Sequence, residues 1–250
     1  GATASAAPDN PKGSEFVEVK SGYDAHVHWP TDSHLCDLVI SWGDPLFPAA
    51  PAWEAGKTTA QAQAVQFGDS CDFLAFMPLP KGSQNSKKGL LVVNHEFARS
   101  STMFVGHEEP KDPARVRAEM EAHGMSVVEI QLTEKGWAPV LESEYNRRIT
   151  AHTPFSMVGP AAGSVRLKTP DDPVGLLTLG TLANCSGGTT PWGTVLSGEE
   201  NVQRFWSGDF EDGDPQHDSR VAMGIGEWIV WHFAEVDKRF ALTIAPNEPN

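Results

Sequence analysis

Apolar positions along this chain come in short runs of strand length, separated by glycine and proline. The first, Cys36-Asp37-Leu38-Val39-Ile40-Ser41-Trp42, predicts a strand that stops at Gly43-Asp44-Pro45. Phe73-Leu74-Ala75-Phe76-Met77-Pro78-Leu79 and Gly89-Leu90-Leu91-Val92-Val93-Asn94 flank a polar turn and predict a β-hairpin. Residues 126–132 and 137–141 predict two further strands around the turn Glu134-Lys135-Gly136. Another strand pair is expected near 175–183 and 193–197. One segment has a different texture: Asp112 can cap, Pro113 suits a first turn, and Ala114, Val116, Ala118, Met120 and Ala122 favour a helix over 113–123 before Gly124 stops it. Residues 226–240, with Trp228, Trp231 and Phe233, read equally as helix or aromatic strand.

These elements predict a mainly β fold with one short helix near 113–123. Strands with turn signals at this spacing suit a sandwich, a barrel or a propeller. No internal repeat stands out at the roughly 40–50 residues of a propeller blade, so periodicity does not choose among them. Residues 1–14 read as a flexible lead-in, small and polar at the start, as expected downstream of a cleaved export signal or an artificial junction. The last residues, Ala245-Pro246-Asn247-Glu248-Pro249-Asn250, are loop-like with no closing element behind them, which suggests truncation.

Composition narrows the partners. The 250 residues are 40% hydrophobic and 21% charged, enough for a buried core. Thirty-three acidic against 19 basic residues give a net charge of −14, a surface that repels nucleic acid and anionic membrane. The same charge suits hard cations such as calcium, although solubility alone would account for it equally. Cys36, Cys71 and Cys185 are too few for a disulfide scaffold. No apolar run approaches the ~20 residues of a membrane span. G-x-S-x-G, P-loop, H-E-x-x-H and Rossmann glycine patterns are all missing, so a serine hydrolase, P-loop enzyme, zincin or dehydrogenase is unsupported.

Three segments could carry chemistry. The most unusual is Asn184-Cys185-Ser186-Gly187-Gly188-Thr189-Thr190-Pro191-Trp192-Gly193-Thr194, leading to Glu199-Glu200-Asn201. It reads as a glycine-rich loop opened by a cysteine, then a strand with an acidic pair at its far end; Gly187 and Gly188 would let backbone approach a bound group. In the bland reading Cys185 is a buried small hydrophobe and Glu199-Glu200 a solvated turn. In the chemical reading they ligate metal. A thiolate suits iron or zinc and is a poor partner for calcium, so a cysteine among carboxylates points to iron or a mixed cluster. The second segment is Asn94-His95-Glu96, two competent ligands at a strand's end. The third is Asn146-Arg147-Arg148, whose arginines suit a phosphate or a carboxylate and serve as ordinary ion-pair partners in so acidic a chain. His26, His28 and His34 lack a completing zinc pattern.

Taken in order, several segments resemble the PhoX family of bacterial alkaline phosphatases. They are Ile40-Ser41-Trp42-Gly43-Asp44-Pro45-Leu46, Gln66-Phe67-Gly68 with Asp72-Phe73, Val93-Asn94-His95-Glu96, Asn146-Arg147-Arg148-Ile149, Gly159-Pro160-Ala161-Ala162-Gly163, Asn184-Cys185 through Asn201, and Pro246-Asn247-Glu248-Pro249-Asn250. The resemblance implies part of a six-bladed β-propeller, exported to the periplasm or beyond. It also implies phosphate monoester hydrolysis on a cluster of calcium and iron. Transferred by position, Cys185 would ligate iron, with Glu200 and Glu96 as carboxylate ligands. Cys185 and Glu200 would then be the catalytic pair. Glu199 and Asn201 would contribute to ligation or to orienting the phosphate, with Thr190 beside Asn201 on the substrate. Family members run far beyond 250 residues, so 15–250 is expected to be the N-terminal part of one incomplete propeller, inactive alone and completed by a second chain or fragment. The competing expectation is a secreted propeller that binds calcium for stability and recognises a partner without catalysis.

Overall fold

A computed structural model describes residues 38–106, 112–169, 171–205 and 217–222. The lead-in at 1–14, the histidines at 26, 28 and 34, Cys36, the 226–240 segment and the final residues lie outside the described residues. Those described from Val39 onward belong to one compact unit.

The centre is an antiparallel sheet of β1 (Cys71–Pro78), β2 (Lys88–His95), β3 (Gly124–Thr133), β4 (Gly136–Pro139) and β5 (Arg147–Ile149). Its order is β1-β2-β3-β4, and β5 joins β3 on the same side as β4. β4 pairs with residues 130–133 of β3 and β5 with 125–127, so two short strands lie end to end along one long one. The expected hairpin is present as β1–β2, and the expected pair around Glu134-Lys135-Gly136 as β3–β4. Two smaller hairpins follow: β6 (Pro154–Ser156) pairs with β7 (Leu177–Leu179), and β8 (Asn184–Thr189) with β9 (Val195–Glu199).

Helices are few. α1 (Ala60–Gln63) and α2 (Ser100–Met103) are single turns, and α4 (His217–Ala222) is short. α3 (Pro113–Ala122) is the helix expected from the sequence. Asp112 caps it by accepting the Ala114 N–H at 2.9 Å, Pro113 occupies the first turn where no N–H is needed, and Gly124, at φ 99°, takes the chain straight into β3. A Cβ at Gly124 would sit 2.1 Å from the Ile149 carbonyl oxygen, so the β3–β5 contact admits no side chain there.

Two sequence expectations are corrected. Residues 38–42 form no strand; Ser41 N–H donates to Asp44 Oδ2 instead, a side-chain turn that competes with ladder pairing. Val39 and Ile40 still pack against the core of Leu46, Phe67, Val93, Val128 and Ile130. The runs near 175–183 and 193–197 do contain strands, but not paired with each other. Each takes an unanticipated neighbour, β6 and β8, and the presumed glycine-rich loop is largely strand β8.

Two polar side chains act as internal braces. Asn146 accepts the Glu129 N–H and donates to the Leu46 and Val140 carbonyls at 2.8–2.9 Å. Arg148 donates to the carbonyls of Gln66, Met125, Ile149 and Glu121 at 2.6–3.0 Å. Burial pulls its pKa down to about 9 against the opposing charge of Glu121. With its donors committed to backbone, Arg148 is neither a phosphate ligand nor a simple surface ion-pair partner.

Candidate metal centre

The residues that could ligate sit at matching ends of two hairpins. β1 opens with Cys71-Asp72 while β2 closes with His95, followed by Glu96; β8 opens with Asn184-Cys185 while β9 closes with Glu199, followed by Glu200. Both hairpins slip register at the same point. Cys71 pairs with His95 and the next pair is Leu74 with Val93; Asn184 pairs with Glu199 and the next is Gly187 with Ser197. In each, two residues face one across a bulge, which re-aims the bulged side chains. Asp72 and Cys185 are the first bulged residues.

Backbone strain marks the same place. Ser70 at φ 46° and Ala183 at φ 51° immediately precede β1 and β8, and Asn201 at φ 55° follows Glu200. These are the three non-glycine residues with positive φ among those described, and all three border the candidate centre. Each strained carbonyl before a strand accepts the N–H of an acid: Glu96 donates to Ser70 O and Glu200 to Ala183 O, both at 2.9 Å.

β8 packs on β1 and β2. Asn94, fully buried, donates to the carbonyls of Cys185 at 2.9 Å and Ser186 at 3.1 Å, and accepts the Ser197 hydroxyl at 3.0 Å. Gly187 lies against the Phe73 ring, where a Cβ would come within 2.5 Å of a ring carbon. Its lack of a side chain therefore serves the contact between hairpins. A Cβ at Gly188 would meet nothing within 4 Å.

Asp72, Glu96 and Cys185 each offer a ligand atom, and the three atoms lie within 4.8 Å of one another. The Cys185 thiol donates to Asp72 Oδ2 at 3.1 Å. Hydrogen bonds to Glu200 and then Asp72, with burial and the negative charge of both, push its pKa up to about 12. A thiol so placed stays protonated until a cation offsets the surrounding carboxylates. Two or three carboxylates about one thiol make a donor set that fits a cation of mixed hard and soft preference.

The neighbouring histidines support this group without joining it. The His95 ring is buried at the edge of Phe67, with Nδ1 3.2 Å from Asp69 O and Nε2 2.8 Å from Ser126 Oγ. Burial and then the Arg148 charge hold its pKa well below the usual value, so Nδ1–H donates and Nε2 accepts. Burial likewise lowers His123 to about 4, and its neutral Nδ1–H donates to the Glu96 carbonyl at 2.9 Å.

Of the residues singled out in the sequence, the fold brings together Cys185, Glu96 and Glu200. Asn201 adjoins them, donating to Glu200 Oε1 at 3.0 Å. Glu199, on the opposite side of its strand from Glu200, accepts the Leu182 N–H at 2.8 Å. Thr190 stands at the other end of the β8–β9 hairpin, its hydroxyl 2.8 Å from that of Thr194, and is not brought to the group. Sequence reading passed over Asp72 as a ligand. Its available signal was an acid at the very start of a strand whose partner ends in Asn94-His95-Glu96.

A family model described as alkaline phosphatase PhoX matches residues 14–250. Among solved structures, Pseudomonas fluorescens PhoX in complex with vanadate, a transition state analogue, is similar at 33% identity with a TM-score of 0.74. The match covers 82% of this chain and 35% of that one, so this chain spans about a third of the relative's length. No curated protein matched.

Proposed function

We propose, on the premise that this chain belongs to the alkaline phosphatase PhoX family, that it supplies part of the metal centre of a phosphate monoester hydrolase. The observation that carries this reading is the convergence of Cys185, Asp72 and Glu96, with Glu200 on the same thiol. The chain is mainly β, in keeping with its PhoX neighbour. The sheet of β1 to β5 would be one blade of a six-bladed propeller, and the remaining blades, from further sequence or a second chain, would complete the ring and the site. The protein would act in the periplasm or outside the cell; among the described residues no helix is long and apolar enough to cross a membrane.

Cys185 and Glu200 would hold iron, and Glu96 and Asp72 would hold iron or calcium through oxygen. When bound, such ions supply the Lewis acidity that offsets charge developing on a phosphoryl group. The chain's own share is positional. Glu200 and Asp72 keep the thiol proton in place until a cation displaces it. Asn201, in a left-handed conformation beside Glu200, would orient that carboxylate through its amide donor and would take part in holding the phosphate. Glu199 would serve the site indirectly, its carboxylate accepting the Leu182 N–H and so fixing the end of β9 that leads into Glu200. A calcium-binding propeller without catalysis leaves the thiol unexplained, because calcium discriminates against sulfur.

The test is elemental analysis of the complete protein together with phosphatase assays before and after chelation. Iron and calcium should both be present, and activity should vanish with their removal. Cys185→Ala should lose iron and turnover together; unchanged iron and full activity in that variant would refute the assignment.

A further inference from the structure

The two hairpins that meet at the metal centre share more than their bulges. Reading outward from the slip, Ser70 matches Ala183 in its left-handed backbone, Cys71 matches Asn184 as the last pair before the bulge, and Asp72 matches Cys185 as the first bulged residue. On the returning strands His95 matches Glu199, and Glu96 matches Glu200, each acid giving its N–H to the left-handed residue's carbonyl at 2.9 Å. The spacing is the same in both: ligand two residues after the strained carbonyl, acid one residue after the returning strand. Nothing in the side chains announces this likeness, since only the Glu96–Glu200 position keeps its residue type.

We infer that β1–β2 and β8–β9 are two copies of one ligand-presenting unit, and that the position held by Asp72 in one and Cys185 in the other is where the centre's metal preference is chosen. The inference rests on the metal reading above. In the first unit this position carries oxygen, so with Glu96 the unit is all oxygen and favours a hard cation. In the second it carries sulfur, so with Glu200 the unit favours a thiophilic one. The backbone holds both positions in the same local geometry, and the Cys185 thiol and Asp72 Oδ2 already lie 3.1 Å apart. Exchanging the two residues therefore moves the sulfur to the other side of the same group of atoms instead of removing it.

The experiment exchanges them. Cobalt(II) is added to the full chain as a probe, because a thiolate ligand gives it a charge-transfer absorption that carboxylates do not. The wild-type chain should show the band. Cys185→Asp should lose it while still binding calcium. The double exchange, Asp72→Cys with Cys185→Asp, should restore the band with an affinity within about tenfold of the starting protein. A double variant with wild-type circular dichroism and no band overturns the equivalence. Should the double variant not fold, Glu96→Gln and Glu200→Gln answer the same question: each should weaken cobalt binding by about 10–100-fold, and loss at one with no effect at the other overturns it. A wild-type chain without the band defeats the metal reading itself, a different result from failure of the exchange.

Discussion

Asn94 has both amide hydrogens and its oxygen engaged, all on β8 and β9, so it holds one hairpin to the other. Asn94→Ala leaves the Cys185 and Ser186 carbonyls without their side-chain donor, and urea unfolding should register a loss of about 1–2 kcal/mol. Bound metal per chain should fall with it, because Cys185 loses the contact that sets its distance from Glu96. Cys185 and Glu96 were legible in the sequence through donor chemistry: sulfur near carboxylates, and an acid just past an apolar run. Asp72 was not, because its partner Cys185 lies 113 residues away and no local pattern reports so long a contact. Gly187 was legible as a place of close approach, but the thing approaching is the Phe73 ring. Only the pairing of the hairpins could reveal that.

Elements with a local cause were the readable ones. The β1–β2 hairpin, α3 with its Asp112 cap, and β3–β4 all follow from periodicity and turn residues within their own spans. β6 and β7 are three residues each and exposed along their length, leaving no alternation to read. β8 was hidden by its glycines, which weaken a strand by propensity and here follow directly after the bulge at Cys185 and Ser186. Gly187→Ala tests that element directly. The new methyl must displace Phe73 or the β8 backbone, and thermal unfolding should show a loss of about 1–3 kcal/mol together with weaker metal retention. α3 carries its own pH dependence. Burial pushes the Glu121 carboxyl upward, but hydrogen bonds from His152 and Thr150 and the charges of His152 and Arg148 outweigh it and hold it below its ordinary value. A carboxyl lowered in the folded state contributes stability that is present above its unfolded pKa and lost as pH falls through the folded value. Glu121→Gln should therefore flatten the fall in urea midpoint between neutral pH and about pH 3.

For the whole molecule, any cation that binds the folded centre and not the unfolded chain adds stability by mass action. Free calcium at about 100 times its dissociation constant should add about 2.7 kcal/mol, and chelation should take the same amount away, read as a drop in melting temperature. The architecture at this scale was only partly legible, because a sheet reveals its strands locally but its closure only through distant partners. Leu177 and Leu179 are about half exposed, and neither strand of that hairpin buries a face among the described residues. The Arg148 guanidinium, by contrast, ties the Gln66 stretch and the α3–β3 junction at Glu121 and Met125 to its own strand β5. Freeing any one of them would leave a charged group facing an empty acceptor position in the interior, so none can fray alone at low cost. Amide hydrogens near Gln66, Glu121, Met125 and Ile149 should accordingly exchange with a common opening energy, as one cooperative unit that melts together or not at all.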